Sequence, residues 1–147
     1  MSCIIPADEL QLIEPIVAVH PGGNGIAEIG LGDDGGIVRS MLRVGVDGMA
    51  AEATGGGHVG PGVSDVLEEA MVTIPMVLAS RTGAGESLAS SYGFPGGEID
   101  LKRRSLVRSG WLDGFKARML NTLLLCRGNF NTEELKSAFW PWGGAGA

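Results

Sequence analysis

Apolar residues fall along this chain in short blocks whose spacing switches between a strand period and a helix period. Ile26 to Leu31 is an apolar run that ends at Gly32, and Asp47 to Ala53 is a second strand-length segment of small and apolar residues. Ile74 to Ala79 is nearly continuous in hydrophobic residues, as in a strand buried on both faces of a parallel sheet. Between these runs the spacing turns helical. Ile37, Val38, Met41 and Leu42 share one face behind Asp33 or Asp34 as the cap, and Gly45 stands where a helix ends. Ser64 is placed to cap a short helix through Met71, with Asp65 favoured by the helix dipole.

Further along, Glu98 to Arg108 reads as a short surface helix leading into a minor strand near Leu106-Val107. Lys102, Arg103, Arg104 and Arg108 form its solvated basic face. Asp113 caps the longest helix, Phe115 to Cys126, which Gly128 ends. Phe115, Met119, Leu123 and Cys126 make one apolar stripe on it, and Leu123-Leu124-Leu125 reads as core. Thr132-Glu133-Glu134 opens a last helix that ends near Trp140, and Pro15 to Val19 is either an edge strand or a linker. This order of elements predicts one three-layer α/β/α domain over residues 25–140, Rossmann-like, on a small and mostly parallel four-stranded sheet. Residues 1–24 form an N-terminal segment and 141–147 a tail.

Composition narrows the function classes. The 147 residues suffice for one domain with a real core. Glycine and proline together make about 22% of the chain, below the ~25–30% at which composition favours disorder. Eleven Lys and Arg against 17 Asp and Glu give a net charge of −6, which argues against a nucleic-acid partner. No apolar run reaches the ~18 residues of a membrane span, and the start has no basic, then apolar, secretory pattern. Cys3 and Cys126 make neither a metal cluster nor a disulfide framework. The expectation is a cytoplasmic protein that needs no metal or organic cofactor.

Three predicted loops share the carboxyl ends of the strands, where ligands of such sheets bind at a switch in strand order. All three, Gly32-Asp33-Asp34, Thr54 to Gly62 and Ser80 to Glu86, are rich in glycine, hydroxyls and charge. In the second, His58 follows Gly55-Gly56-Gly57, where backbone N–H groups can approach a ligand beside an imidazole. The alternative is a turn that needs left-handed glycines. Arg81, between Ser80 and Thr82, is suited to fork onto a carboxylate or to tie a facing loop by an ion pair. Asp33-Asp34 reads as a helix cap or as a carboxylate pair for acid–base work, and Glu86 as a loop carboxylate. The candidate catalytic residues are therefore His58, Glu86, Asp33 and Asp34, and the candidate ligand-binding residues Thr54, Gly55, Gly56, Gly57, Ser80, Arg81 and Thr82. No dinucleotide fingerprint, P-loop or nucleophile elbow is present.

From Ile26 to Phe139 the chain resembles the C-terminal domain of the bacterial L-asparaginase family. The resemblance rests on Leu31-Gly32-Asp33-Asp34-Gly35, Val46-Asp47-Gly48-Met49, Gly55-Gly56-Gly57-His58-Val59, Pro75 to Gly85, Tyr92-Gly93-Phe94-Pro95-Gly96 and Leu112 to Arg118. It implies a fold of the kind predicted above. It also implies that two catalytic threonines, in a Thr-Gly-Gly-Thr-Ile motif and a Thr-Asp pair, belong to a separate N-terminal domain. These residues hold no Thr-Asp pair, and Thr54-Gly55-Gly56 lacks the Thr-Ile that should follow. In the family the C-terminal domain reaches across a dimer, lending an Asn from the glycine loop and an acidic residue from the loop after Ser-Arg. Here the Asn position is Gly or His, and Glu86 stands for the acidic residue. The resemblance thus implies a small polar or amino-acid-like ligand at the strand ends, with amide-hydrolase chemistry altered or dependent on a partner chain. The partner is a second copy or a complementary threonine domain. A split asparaginase, a stand-alone small enzyme using His58, Arg81 and Glu86, and a non-functional relic are the other readings.

Overall fold

A computed structural model describes residues 23–128 and 131–144, so the expectation for Pro15 to Val19 lies outside the described residues. The chain runs through β1 (Asn24–Glu28), α1 (Gly36–Val44), β2 (Gly48–Ala53), α2 (Pro61–Thr73) and β3 (Met76–Ser80). It continues through α3 (Glu98–Arg103), β4 (Val107–Arg108), α4 (Gly114–Cys126) and α5 (Thr132–Phe139), then a 3₁₀ turn at Trp140–Trp142. The four strands form one wholly parallel sheet in the order β1-β2-β3-β4, with Ile26 level with Ala50, Ala50 with Val77, and Val77 with Val107. This is the α/β fold read from the sequence. Among the described residues, however, the strand order never reverses and offers no switch-point crevice, so any recess at the strand ends is shaped by the loops.

Two apolar layers sandwich the sheet. Val38, Val63, Leu67 and Leu101 of α1, α2 and α3 pack on one face with Ala27, Ala51 and Leu78. Ala117, Leu135 and Phe139 of α4 and α5 pack on the other with Ala50, Val77, Ala79 and Val107. Two caps differ from expectation. Helix α2 starts at Gly60 with Pro61 in its first turn, because proline carries the helical φ already. Ser64 lies inside the helix, its hydroxyl donating to the Pro61 carbonyl at 2.6 Å. Helix α1 is capped by Gly35 at φ 80°, with the Asp33 and Asp34 carboxylates accepting the Gly35 and Gly36 N–H groups at 2.7 and 2.8 Å.

Helix α4 is turned opposite to its sequence pattern. Gly114, Ala117, Asn121 and Leu125 face the sheet, while Phe115, Met119 and Leu123 are 72%, 62% and 43% exposed. The reason is close approach. A Cβ on Gly48 of β2 would lie 2.8 Å from Leu125 and 3.1 Å from Asn121, and a Cβ on Gly114 would overlap the Glu52 carboxylate. The space freed at Gly48 and Gly114 is already filled by Leu125, Asn121 and Glu52, so Phe115, Met119 and Leu123 point outward. Leu125 alone of the three leucines is buried.

The basic segment is also divided. Arg104 ends α3 and reaches Asp65, Glu68 and Asp100 at 2.8, 2.6 and 3.2 Å, fastening α3 to α2. Arg108 is no solvated cation but a buried residue of β4.

Candidate functional site

The four strands deliver their carboxyl ends to one edge, and hydrogen bonds lock the loops there together. Thr54 and His58 exchange backbone bonds of 2.9 Å, and the Thr54 hydroxyl donates to the His58 carbonyl at 2.8 Å, closing residues 54–58 into a tight turn. Gly55 and Gly57 take φ of 52° and 105°, which favours glycine. A Cβ on Gly56 would overlap Leu88, whose N–H donates to the Gly56 carbonyl at 2.8 Å. The Ser80 hydroxyl donates to the Gly55 carbonyl at 2.5 Å, and the Thr82 hydroxyl to the Ala84 carbonyl at 3.0 Å. The three hydroxyls are thus engaged in holding turns, and none has an imidazole or carboxylate partner among the described residues.

His58 and Glu98 sit at the centre of this edge. Glu98, the first residue of α3, is only 1% exposed, and its Oε2 lies 2.8 Å from His58 Nε2. Its Oε1 accepts the backbone N–H groups of Ser91 and Tyr92. Burial pushes this carboxyl upward, but the Tyr92 and Ser91 N–H groups, its own N–H and the His58 ring outweigh it. The net result is a Glu98 held below the usual range, hence ionised at neutral pH. The His58 ring, 19% exposed, stands edge-on to Tyr92 and Phe94 with centroids 5.3 Å away in each case. Its Nδ1 has no hydrogen-bond partner among the described residues. An imidazole oriented by a carboxylate through one nitrogen presents the other to whatever binds beside it.

The remaining candidates lie around this pair. Arg81 bonds Glu28 of β1 at 3.2 Å, both side chains being well exposed, so it ties two strand ends by an ion pair. Asp33 and Asp34 spend their carboxylates on the start of α1, although the Asp33 carbonyl approaches Gly60 of the glycine loop. Glu86 is exposed and packs over Gly143, on the side of Trp111 rather than of His58. The acidic residue that faces the glycine loop is Glu98, which the sequence reading did not single out. Its signal was hidden because Glu98 opens a charged hexapeptide that reads as solvent-facing, and only tertiary contacts bury it.

Arg108 also went unread as a builder of this edge. Its guanidinium donates to the carbonyls of Ser87 and Leu88 at 2.8 and 3.2 Å and of Gly143 at 3.3 Å. Burial pushes it below its ordinary value, against the pull of Glu86 and Glu98, and it stays charged. Next to it, Ser80, Gly83, Gly85, Trp111 and Lys116 border a small open recess. Among the described residues no group of His, Cys, Asp and Glu is arranged to hold a metal ion, and no helix is long and apolar enough to cross a membrane.

Comparison with known proteins bears on what such an edge serves. The L-asparaginase of Bacillus licheniformis is 27% identical over 122 residues, covering 83% of this chain and 36% of that protein. The probable L-asparaginase of Deinococcus radiodurans is 33% identical over 93 residues, covering 63% of this chain and 28% of that protein. The chain thus spans about a third of the length of these relatives. Residues 25–139, which span the sheet from the second residue of β1 and the five described α-helices, match the glutaminase/asparaginase C-terminal domain, and the chain belongs to that family.

Proposed function

We propose that this domain supplies the amino-acid-binding rim of an asparaginase-type amidohydrolase whose nucleophile comes from a threonine-bearing domain outside these residues. The observation that carries the reading is the His58–Glu98 pair, an ionised carboxylate and an oriented imidazole set on a loop edge whose Thr54, Ser80 and Thr82 hydroxyls are engaged in holding turns. Amide hydrolysis through an acyl intermediate needs a hydroxyl beside a base and donors for the developing oxyanion. Thr54, Ser80 and Thr82 meet none of this, so they do not serve as nucleophile.

What these residues offer is recognition. Glu98 places fixed negative charge behind His58, which suits the ammonium of an amino-acid ligand. With Nε2–H donating to Glu98, Nδ1 accepts a hydrogen bond from that ligand or from a water beside it. Tyr92 and Phe94 wall the imidazole and limit water on two sides. Arg81, whose side chain has one exposed partner among the described residues, is available to a ligand carboxylate when the edge is covered.

A second reading has its own support. The same carboxylate–imidazole pair is a general-base arrangement, so the domain could act as a small enzyme in its own right. Titration with L-asparagine, L-aspartate and glycinamide, followed by backbone and imidazole NMR shifts, tests ligand recognition. The rim reading expects amino-acid-selective shifts at His58 and Tyr92 that His58→Ala removes. Equal responses to all three probes, or shifts confined to other elements, would overturn it.

A further inference from the structure

The two borders of the sheet are built differently. Strand β4 has two residues, and the turn after α5 closes over it. There the Trp111 N–H donates to the Trp142 carbonyl at 2.8 Å, and a Cβ on Gly144 would overlap the Arg108 carbonyl. Strand β1 has five residues, contains neither proline nor lysine, and runs in unbroken register with β2, its one strand partner among the described residues. Such a border is a template for a further strand.

The direction of its backbone groups follows from the ladder. The Gly23 carbonyl and the Ile29 N–H turn toward β2, bonding Asp47 and Glu52 at 2.9 and 2.8 Å. Alternate residues do so in a parallel pair, which leaves the N–H and carbonyl groups of Asn24, Ile26 and Glu28 pointing outward. Their side chains share the α4 face. Asn24 donates to the Arg118 carbonyl and the Thr122 hydroxyl, Ile26 packs with Ala50 and Val77, and Glu28 meets Arg81. The border is also charged oppositely at its two ends. At the Asn24 end stands the exposed Arg118, whose Nε donates to the Asn24 carbonyl at 2.6 Å and whose guanidinium has no carboxylate partner among the described residues. At the other end stands Glu28, 67% exposed.

We propose that a second copy of this chain adds to β1, antiparallel and centred on Ile26, and continues the sheet through a twofold axis normal to it. In that register the outward residues meet as hydrogen-bonded pairs, Ile26 with its own equivalent and Asn24 with Glu28. The axis keeps both α4 layers on one side of the sheet. Glu28 of each copy then falls beside Asn24 of the other, within reach of Arg118. A slip of two residues would keep backbone bonds but move each carboxylate away from its guanidinium, so the charges specify both the occupant and the register. The inference is independent of what binds at the strand ends.

Sedimentation equilibrium of the full chain tests it with Arg118→Glu, with Glu28→Lys and with an equimolar mixture of the two, each checked for folding by circular dichroism. The proposal expects a dimer that each substitution weakens about tenfold, because like charges then face each other at both ends of the border. The mixture should restore it, since the native charges meet at one end of the mixed pair and the exchanged charges at the other. In the parent chain, hydrogen exchange at the Ile26 and Glu28 amides should slow as concentration rises. A chain still monomeric at about 1 mM, a dimer that neither substitution weakens, or a loss that the mixture fails to restore would overturn the proposal. Slow exchange at Ile26 and Glu28 in the monomer would overturn it too, because another segment of the same chain would then occupy the border.

Discussion

Replacing Glu98 by Gln isolates the charge at the centre of the strand-end edge without changing its shape. In the folded chain the Glu98 carboxylate accepts two backbone N–H groups and faces the His58 ring while almost wholly buried. Hydrogen bonds to a charged acceptor are worth roughly 1 kcal/mol more than those to a neutral one. Three such bonds lose that increment in the variant, and the lower cost of burying an amide returns part of it. The expected loss is about 2 kcal/mol at pH 7, which shifts a urea midpoint by about 1 M for a domain of this size.

The pH dependence gives the sharper check. Glu98 is depressed in the folded state, so its contribution is present in full above the unfolded value, about 4.3, and fades as pH falls through the lower folded value. Urea unfolding of parent and variant at pH 7 and at pH 3 should show the gap shrinking toward zero on acidification. A gap that is absent at pH 7, or that is the same at both pH values, would refute the assignment of a stabilising ionised carboxylate.

Other substitutions probe the surrounding construction. Gly56→Ala should cost about 1–3 kcal/mol in chemical denaturation, because the added methyl overlaps Leu88, and Leu88→Ala in the same chain should recover part of it. Asn131→Ala removes a reciprocal cap with Glu134 at the start of α5 and should lower stability by about 1 kcal/mol, read from the same unfolding curves. Among the described residues Arg81→Ala breaks a single exposed ion pair, with Glu28, so the melting temperature should move little at any salt concentration. A large loss there would mean that Arg81 is structural and not available to a ligand.

The parallel sheet and its helices were legible because their signals are local. Ile74 to Ala79 is apolar throughout, and Gly45 and Asp113 stand where the chain begins and ends helices. The inward face of α4 was not legible. The pattern favoured Phe115, Met119 and Leu123 as core, whereas Gly48 and Gly114 open the space that Asn121, Leu125 and Glu52 fill, so the opposite face of the helix packs inward. Arg108 and Glu98 were misjudged for the same reason. Each sits in a charged stretch, and bonds to segments 21 to 40 residues away help bury them. The glycine loop shows both sides, since its left-handed positions were foreseeable from the glycines while the residue that faces His58 was not.

The most direct test of partner dependence is ammonia release from L-asparagine by the chain alone and by the chain co-expressed with an asparaginase threonine domain. The account predicts no turnover by the chain alone, turnover by the assembly, and a raised KM when Glu98 is changed to Gln in that assembly. Turnover by the isolated chain that His58→Ala abolishes would contradict it and establish a self-contained enzyme.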